Sequence, residues 1–458
     1  MVTDPLTQLR ASVAGRVIVP GDADYDTARM VFAGGIDPRP AAIVRVAHAD
    51  DVARVVGYAR ESGIELAVRC GAHSLVGHTL SDTGVVIDVS GMKALDIDVK
   101  GRTAWTGSGL TAAEYSTAAG VHGLATSFGD TGSVGIGGIT LGGGVGFLVR
   151  RYGLTIDDLL AADVVTADGR LLRVDARTEP DLFWAIRGGG GNFGVATRFR
   201  FRLHEVGTVL GGMLFLPATP EVIAGFVSEA EAAPEELSTI ANVMPAPPLP
   251  FVPQEHHGLP VVMAMMVYAG PVEDGERAVA PLRALAAPIA DMLRPMSYPE
   301  MYQADEGDYH PIAAARSMFV DRIDRGVAET VLAHLEASTA GMRVAQLRVL
   351  GGAMARVPAD ATAFAHRTSR IMVNVAALYE TPQEREIHES WVDDFAQELR
   401  QDDGGVYVNF LGDEGESRIR AAYPGPIWDR LAAVKARYDP TNLFRRNQNI
   451  PPSSGNGG

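Results

Sequence analysis

The sequence predicts an α+β protein in which strand–helix alternation gives way to one antiparallel sheet. Three observations carry that prediction. Short β-branched runs alternate with amphipathic helix patterns up to about residue 205. Between about 208 and 424 both strands and helices lengthen, which suits an antiparallel sheet with helices on one face. Residues 426–452 then give one helix and an irregular Asn/Arg-rich tail, too short for a core of its own.

The elements follow in order. Residues 41–46 read as a strand, and Asp50 and Asp51 offer an N-cap for an amphipathic helix through Arg60. Residues 66–70 and 84–89 are the next strands, separated by a loop. A helix pattern covers 111–120, and a glycine-rich stretch covers 129–146. Residues 161–174 form a hairpin that turns at Asp168-Gly169. A short helix at 180–187 runs into four glycines, and a strand follows at 195–203. Beyond 208, strands are expected at 261–268, 343–350 and 371–378, and helices at 275–293, 326–337 and 382–399. Residues 244–253, with five prolines, are expected to form a loop. The last helix is 428–438, and 453–458 should be disordered.

Composition narrows the function. At 458 residues there is room for two or three domains of roughly 150 residues. An apolar fraction of 47% and a charged fraction of 21% exclude a mainly disordered chain. A net charge of −16 argues against nucleic-acid or anionic-membrane binding, both of which need a basic surface. One cysteine, Cys70, excludes a disulfide framework and a cysteine-cluster metal site, and the histidines lack metal-ligand spacing. The amino terminus has no signal layout and no apolar run is long enough for a membrane span, so a cytoplasmic enzyme is expected.

Glycine, at 51 residues, is clustered, and the clusters mark the candidate chemistry. In Arg69-Cys-Gly-Ala-His-Ser-Leu-Val-Gly77 a strand ends and small residues expose consecutive N–H groups, a turn able to cradle a pyrophosphate. His73 lies at its centre; the plain alternative is a histidine that hydrogen-bonds its own loop. Nine of the eighteen residues in 129–146 are glycine, so backbone there can approach a flat or charged ligand. A flexible linker is the alternative, but Val134, Ile136, Ile139, Leu141, Val145 and Phe147 anchor the stretch. Gly189, Gly191 and Gly194 fit G-x-G-x-x-G, yet this copy follows a helix and opens a strand, the reverse of a Rossmann site. A close-approach loop remains. The tail 438–452, taken alone, reads as a docking segment.

Taken in order, these segments resemble the berberine-bridge-enzyme-like FAD-linked oxidases of the vanillyl-alcohol-oxidase superfamily, with a PCMH-type FAD-binding domain. The resemblance rests on 69–73, 134–138 through 142–146, 181–194, Tyr407-Val-Asn409, 439–445 and 447–451. It implies an α+β, two-domain fold: an FAD domain from 1–207 completed by 425–452, and an antiparallel-sheet substrate domain at 208–424 that roofs the flavin. It implies FAD contacts from Arg69, Gly71, Ala72, His73, Ser74, Leu75 and Gly77. A second set is Thr131, Val134, Gly135, Gly138, Leu141, Gly142 and Gly146, and a third is Gly191 and Val195. Tyr407, Asn409, Asn447 and Asn449 would lie near the ring or ribityl chain, where neutral amides can both donate and accept.

The resemblance also implies one covalent link, from His73 to the flavin C8α-methyl carbon. The cysteine that gives plant members a second link is replaced by Thr131. The alternative is non-covalent FAD. The implied reaction moves hydride from a C–H bond of a small alcohol, sugar or amine to flavin N5, with O₂ as acceptor and H₂O₂ as product. Val134, at the position over the C4a edge, accompanies oxidases. Partners are then a small-molecule substrate and O₂, with no nucleic acid, membrane or metal; the oligomeric state is left open. Two departures bear on catalysis. Asn374 stands where plant members carry a carboxylate, and Phe410 where many carry a tyrosine base; neither takes a proton at pH 7. With Tyr407 these are the candidate residues near the ring, and a base is sought at Tyr309, His310 or Tyr268. A dehydrogenase with another acceptor, or an FAD-binding protein without turnover, stays open.

Overall fold

The computed structural model describes residues 5–302, 310–401 and 404–453. In the first sheet Ala42–Arg45, Val85–Asp88 and Leu66–Arg69 pair in parallel, with Arg16–Ile18 antiparallel at one edge. The crossover is the helix Ala49–Ser62, which buries Val52, Val55, Val56 and Ala59 and stops at Gly63, whose φ of +66° ends the helix without a Cβ clash. Its N-cap is His48 rather than Asp50 or Asp51. Asp51 instead sits in the first turn, fully buried, and accepts backbone N–H from Ala47, Ala14 and Gly15.

A five-stranded antiparallel sheet follows, in the spatial order Leu95–Asp98, Thr103–Gly107, Val195–Arg202, Leu159–Val165, Leu171–Asp175. The helix Ala112–Gly120 packs beside it, its start fixed by a reciprocal Thr111–Glu114 capping box. Phe128, Phe199, Phe201 and Tyr115 are fully buried, and Phe128 meets Phe201 edge-on at 5.3 Å.

The largest sheet is antiparallel throughout. Its six long strands lie in the order Thr208–Pro217, Pro260–Tyr268, Leu237–Pro245, Met342–Val349, Ile371–Tyr379, Ile312–Val320. Alternation sets the faces: Leu214, Leu216, Ala345, Leu347, Val373 and Val375 pack with residues of the helices Pro220–Ala232, Arg325–Ala337 and Arg385–Leu399. One expectation needs correction here. The helix expected at 275–293 is Val272–Arg283, and the chain then adds the edge pieces Ala290–Asp291 and Arg294–Ser297 to Thr208–Pro217. Within the glycine-rich stretch, to which the sequence assigned no element, Ile136–Gly142 is helical.

From Val406 onward the chain rejoins the first part. Val406, Leu411, Tyr423, Leu431 and Ile450 belong to the same apolar cluster as Phe128 and Phe201. A buried polar lock holds them. Lys435 Nζ donates to Asp439 Oδ2 and the Asn192 carbonyl, both at 2.7 Å, and to the Phe444 carbonyl at 2.9 Å. Asp439 also accepts the N–H of Leu443 and Phe444. Burial pulls the Lys435 pKa below its usual value, and Asp439 opposes that shift. Among the described residues no helix is long and apolar enough to cross a membrane.

Candidate functional site

The first strand-end loop begins at Arg69, whose guanidinium donates to the Ala28 carbonyl and whose Nε is buried without a partner among the described residues. Burial lowers its pKa. Cys70 turns inward, donates Sγ–H to the Ser108 carbonyl at 3.0 Å, and is pushed up to about 11 by burial. Ala72 takes φ +55°, unusual for a residue with a Cβ, and reverses the chain. His73 is half-buried and stacks on Phe32 with ring centroids 4.6 Å apart. Ser74 and Leu75 continue the loop, and the Ser74 carbonyl accepts the Gly77 N–H. Next to them His78, which the sequence did not single out, is held neutral by burial, its pKa pushed down to about 4.

The glycine-rich segment fits against this loop backbone to backbone. A Cβ on Gly71 would lie 2.3 Å from the Gly135 nitrogen, and one on Gly135 would lie 2.2 Å from Cys70 Sγ. Only glycine permits that interlock. Gly146 is similarly pressed on Gly129, whereas Gly138 faces open space. Val134 is half-buried and Thr131 exposed. The Leu141 carbonyl accepts the N–H of Gly188 and of Gly190, which brings the third loop, with Gly191 and Val195, alongside. Tyr407 is buried beneath; its hydroxyl accepts the Gly144 N–H and Asn409 Nδ2–H, both at 2.8 Å, and burial raises its pKa. Asn409 lies so close that a Cβ on Gly142 would fall 1.9 Å from its Oδ1.

The tail closes the arrangement. Arg446 donates to the carbonyls of Leu80 and Gly77 in the first loop. Asn192 joins the third loop to the tail, accepting the Ile450 N–H and donating to the Gln448 carbonyl. Asn447 and Asn449 each keep a buried Oδ1 with no hydrogen-bond partner among the described residues. The structure thus gathers segments 69–77, 131–146, 188–195, 407–409 and 447–449 into one cradle. Bare glycine backbone and orphaned amide oxygens are what a flat, polar-edged dinucleotide would need, so the residues present fit FAD.

Above the cradle stands the sheet face that turns away from the helices. Arg348, nearly fully buried, donates to Asp130 Oδ2 at 2.6 Å and to Gln346 Oε1 at 2.7 Å, and its guanidinium lies 5.1 Å from the Phe410 ring centroid. Asn374 is paired in register with Gln346 and with Ser317. Sequence reasoning missed Asp130, Asn242, Gln346 and Arg348. The available signal was polar side chains at 346 and 348 within an apolar strand, an alternation that marks one polar face. The proposed bases fare otherwise. Tyr268 lies on the helix-covered face, packed on Gly270 and Gly275, because it shares the parity of Val262 and Ala264. His310 is exposed, with Nδ1 3.4 Å from the Phe32 carbonyl. Tyr309 lies outside the described residues. Two surface clefts, of about 310 Å³ beside Arg316 and Arg418 and about 180 Å³ beside Arg60 and Asn442, include none of the cradle residues.

Comparison with known proteins agrees with this geometry. The family described as "FAD binding domain" matches residues 40–175, and "Berberine and berberine like" matches 406–451. The chain is 31% identical to (R)-6-hydroxynicotine oxidase of Paenarthrobacter nicotinovorans, over 96% of this chain and 97% of the relative. It is similar in structure to 6-hydroxy-D-nicotine oxidase from Arthrobacter nicotinovorans, with a TM-score of 0.84 and 27% identity over 98% of this chain and 99% of that one. Wild-type BBE-like 1 of Physcomitrella patens shares the fold with a TM-score of 0.86 at 23% identity, over 98% of this chain and 99% of that one. With a relative at 31% identity spanning nearly its whole length, the chain belongs to the berberine bridge enzyme-like family of FAD-linked oxidoreductases.

Proposed function

We propose that this FAD-linked oxidoreductase is an oxidase that takes two electrons from a C–H bond of a small alcohol, sugar or amine and hands them to O₂. The observation that carries the reading is the cradle itself: five chain segments converge, two glycine backbones interlock, and Asn447 and Asn449 keep unpartnered amide oxygens. Bound FAD supplies a hydride acceptor at N5 and an electron path to O₂, so that R₂CH–XH and O₂ become R₂C=X and H₂O₂. The chain's own residues do the rest. The loops at 69–77 and 131–146 bring backbone N–H groups close to the cofactor. Tyr407 fixes Asn409, and Asn409, Asn447 and Asn449 address the polar edge. His73 provides an imidazole nitrogen as nucleophile for a single covalent tether. Thr131 offers no thiol for a second one. Val134 is small enough to leave O₂ a path to the reduced ring. Asn374 and Phe410 take no proton, which favours substrates that need little deprotonation, neutral amines above all.

Acid precipitation tests the tether and a peroxide assay tests the acceptor. We expect yellow colour to stay on the protein with a mass increase of one FAD, His73→Ala to release the flavin, and Cys70→Ser to retain it. Wild-type protein that loses all its flavin to the supernatant would refute the covalent link. Turnover with an artificial acceptor but no peroxide under air would refute the oxidase assignment in favour of a dehydrogenase.

A further inference from the structure

The face of the large sheet that looks toward the cradle carries a row of neutral polar side chains. Asn242 is in register with Gln346, Gln346 with Asn374, and Asn374 with Ser317. Half of the row is internally satisfied. Gln346 Nε2 donates to Asn242 Oδ1 at 2.9 Å, and Gln346 Oε1 accepts from Arg348. The other half is open. Asn374 Oδ1 and Ser317 Oγ are both buried without a partner among the described residues, and Ser317 is fully buried. A buried oxygen left unpaired is costly, so two of them side by side point to a ligand group that completes them. Charge sets the second constraint. Among the described residues of these strands Arg348 is the cation on this face, and Asp130, reaching up from the glycine-rich segment, already neutralises it.

We infer that Asn374 and Ser317 form the substrate-recognition pair of the oxidoreductase proposed above, and that they select an uncharged substrate presenting an O–H or N–H group. Gln346 and Asn242 are positioning residues that fix the row. Among the described residues the Asp130–Arg348 pair leaves this face without net charge. A carboxylate entering it would lose its hydration with no free cation among them to meet, and an ammonium would find no free carboxylate among them. A neutral hydroxyl or secondary amine loses little hydration and pairs directly with Asn374. This inference rests on the flavin reading only for the location of the reacting bond; selection by charge is a property of the row.

The test uses the flavin-loaded protein and two matched sets of probes: glucose, glucuronate and glucosamine, and benzyl alcohol with its 4-carboxy and 4-aminomethyl derivatives. Affinity is read from thermal shift and from oxidised-flavin difference spectra, and turnover from anaerobic flavin bleaching. In at least one set the neutral member should bind at least tenfold more tightly than both charged members. Asn374→Leu should weaken that binding at least tenfold. Asp130→Asn, which uncovers the Arg348 charge, should shift the carboxylate-to-neutral affinity ratio at least tenfold toward the carboxylate. The inference is overturned if a charged member binds best in both sets, if no member of either set binds, or if the Asp130→Asn ratio is unchanged. Should Asp130→Asn fail to fold, Asn374→Leu and Ser317→Ala decide alone, and unaltered neutral binding in both rejects the inference. Binding by neutral probes without bleaching would instead count against the flavin reading and leave the recognition pair standing.

Discussion

Replacing Lys435 with methionine should unlock the tail and, through it, the cradle. Lys435 and Asp439 are both fully buried, and the ammonium is also the hydrogen-bond donor to two carbonyls. Lys435→Met keeps the apolar stem but strands the Asp439 carboxylate without its cation. Breaking a buried pair from one side costs about 3–5 kcal/mol, more than the loss of either charge-assisted carbonyl bond at about 1.5–3 kcal/mol. The cost falls on residues 435–450, which carry Asn447 and Asn449. Hydrogen exchange of 440–450 should accelerate by two or more orders of magnitude, and flavin should be retained less well at moderate urea. In Lys435→Met/Asp439→Asn the charge is gone while the Asn oxygen can still accept a backbone N–H, so this double variant should be more stable than the single one. A single variant with wild-type exchange in 440–450, or a double variant less stable than the single, would refute the reasoning.

Gly142→Ala should displace Asn409, since the new methyl would overlap its Oδ1, and should change the flavin spectrum while global stability, helped by alanine's better helix propensity, moves by less than about 1 kcal/mol. Cys70, buried and pushed up to about 11, should resist iodoacetamide at pH 8 in the folded protein and react fully once unfolded. Burial drives the Asp51 carboxyl up, but the backbone donors of Ala47, Ala14 and Gly15 outweigh it and hold the pKa below the usual value. Its contribution is therefore complete above the unfolded value and lost as pH falls through the folded one, so the wild-type advantage over Asp51→Asn should vanish toward pH 3 in urea melts. Val134→Leu should slow reoxidation of reduced flavin by O₂ in stopped flow at least tenfold, with flavin reduction nearly unchanged.

Local chemistry was legible in the sequence where it is written locally. The helix at 111–120, the β-branched runs and the Asp168-Gly169 turn each rest on signals within a few residues, and each is where it was expected. The helix Ile136–Gly142 was not legible, because glycine is a poor helix former. The segment is held instead by contacts with Leu110, Asn409 and Gly71, which are distant in sequence. The overrun at 283–293 has a similar cause: Pro281 and Pro288 weaken the helix, and pairing with Thr208–Pro217 recruits the following residues. At the site, His73 and Asn447 each stand in a short motif that is contiguous in sequence, so they could be picked out as candidates. The Asp130–Arg348 pair could not, since only the packing of the glycine-rich segment against the large sheet brings together residues 218 apart.

The return of the chain to its starting part has a consequence for biogenesis. The bonds that finish the cradle span 263 residues from Gly144 to Tyr407, 258 from Asn192 to Ile450 and 366 from Leu80 to Arg446. During synthesis the first part emerges with its cofactor loops unclosed, and at about 5–20 residues per second it waits some tens of seconds for residues 406–450. Contacts of such long range also form slowly. The cradle is therefore complete only after residues 406–450 have emerged. A nascent chain stalled before Tyr407 should expose an apolar seam where Leu431 and Ile450 belong, making it a client for chaperones rather than a partly active flavoprotein.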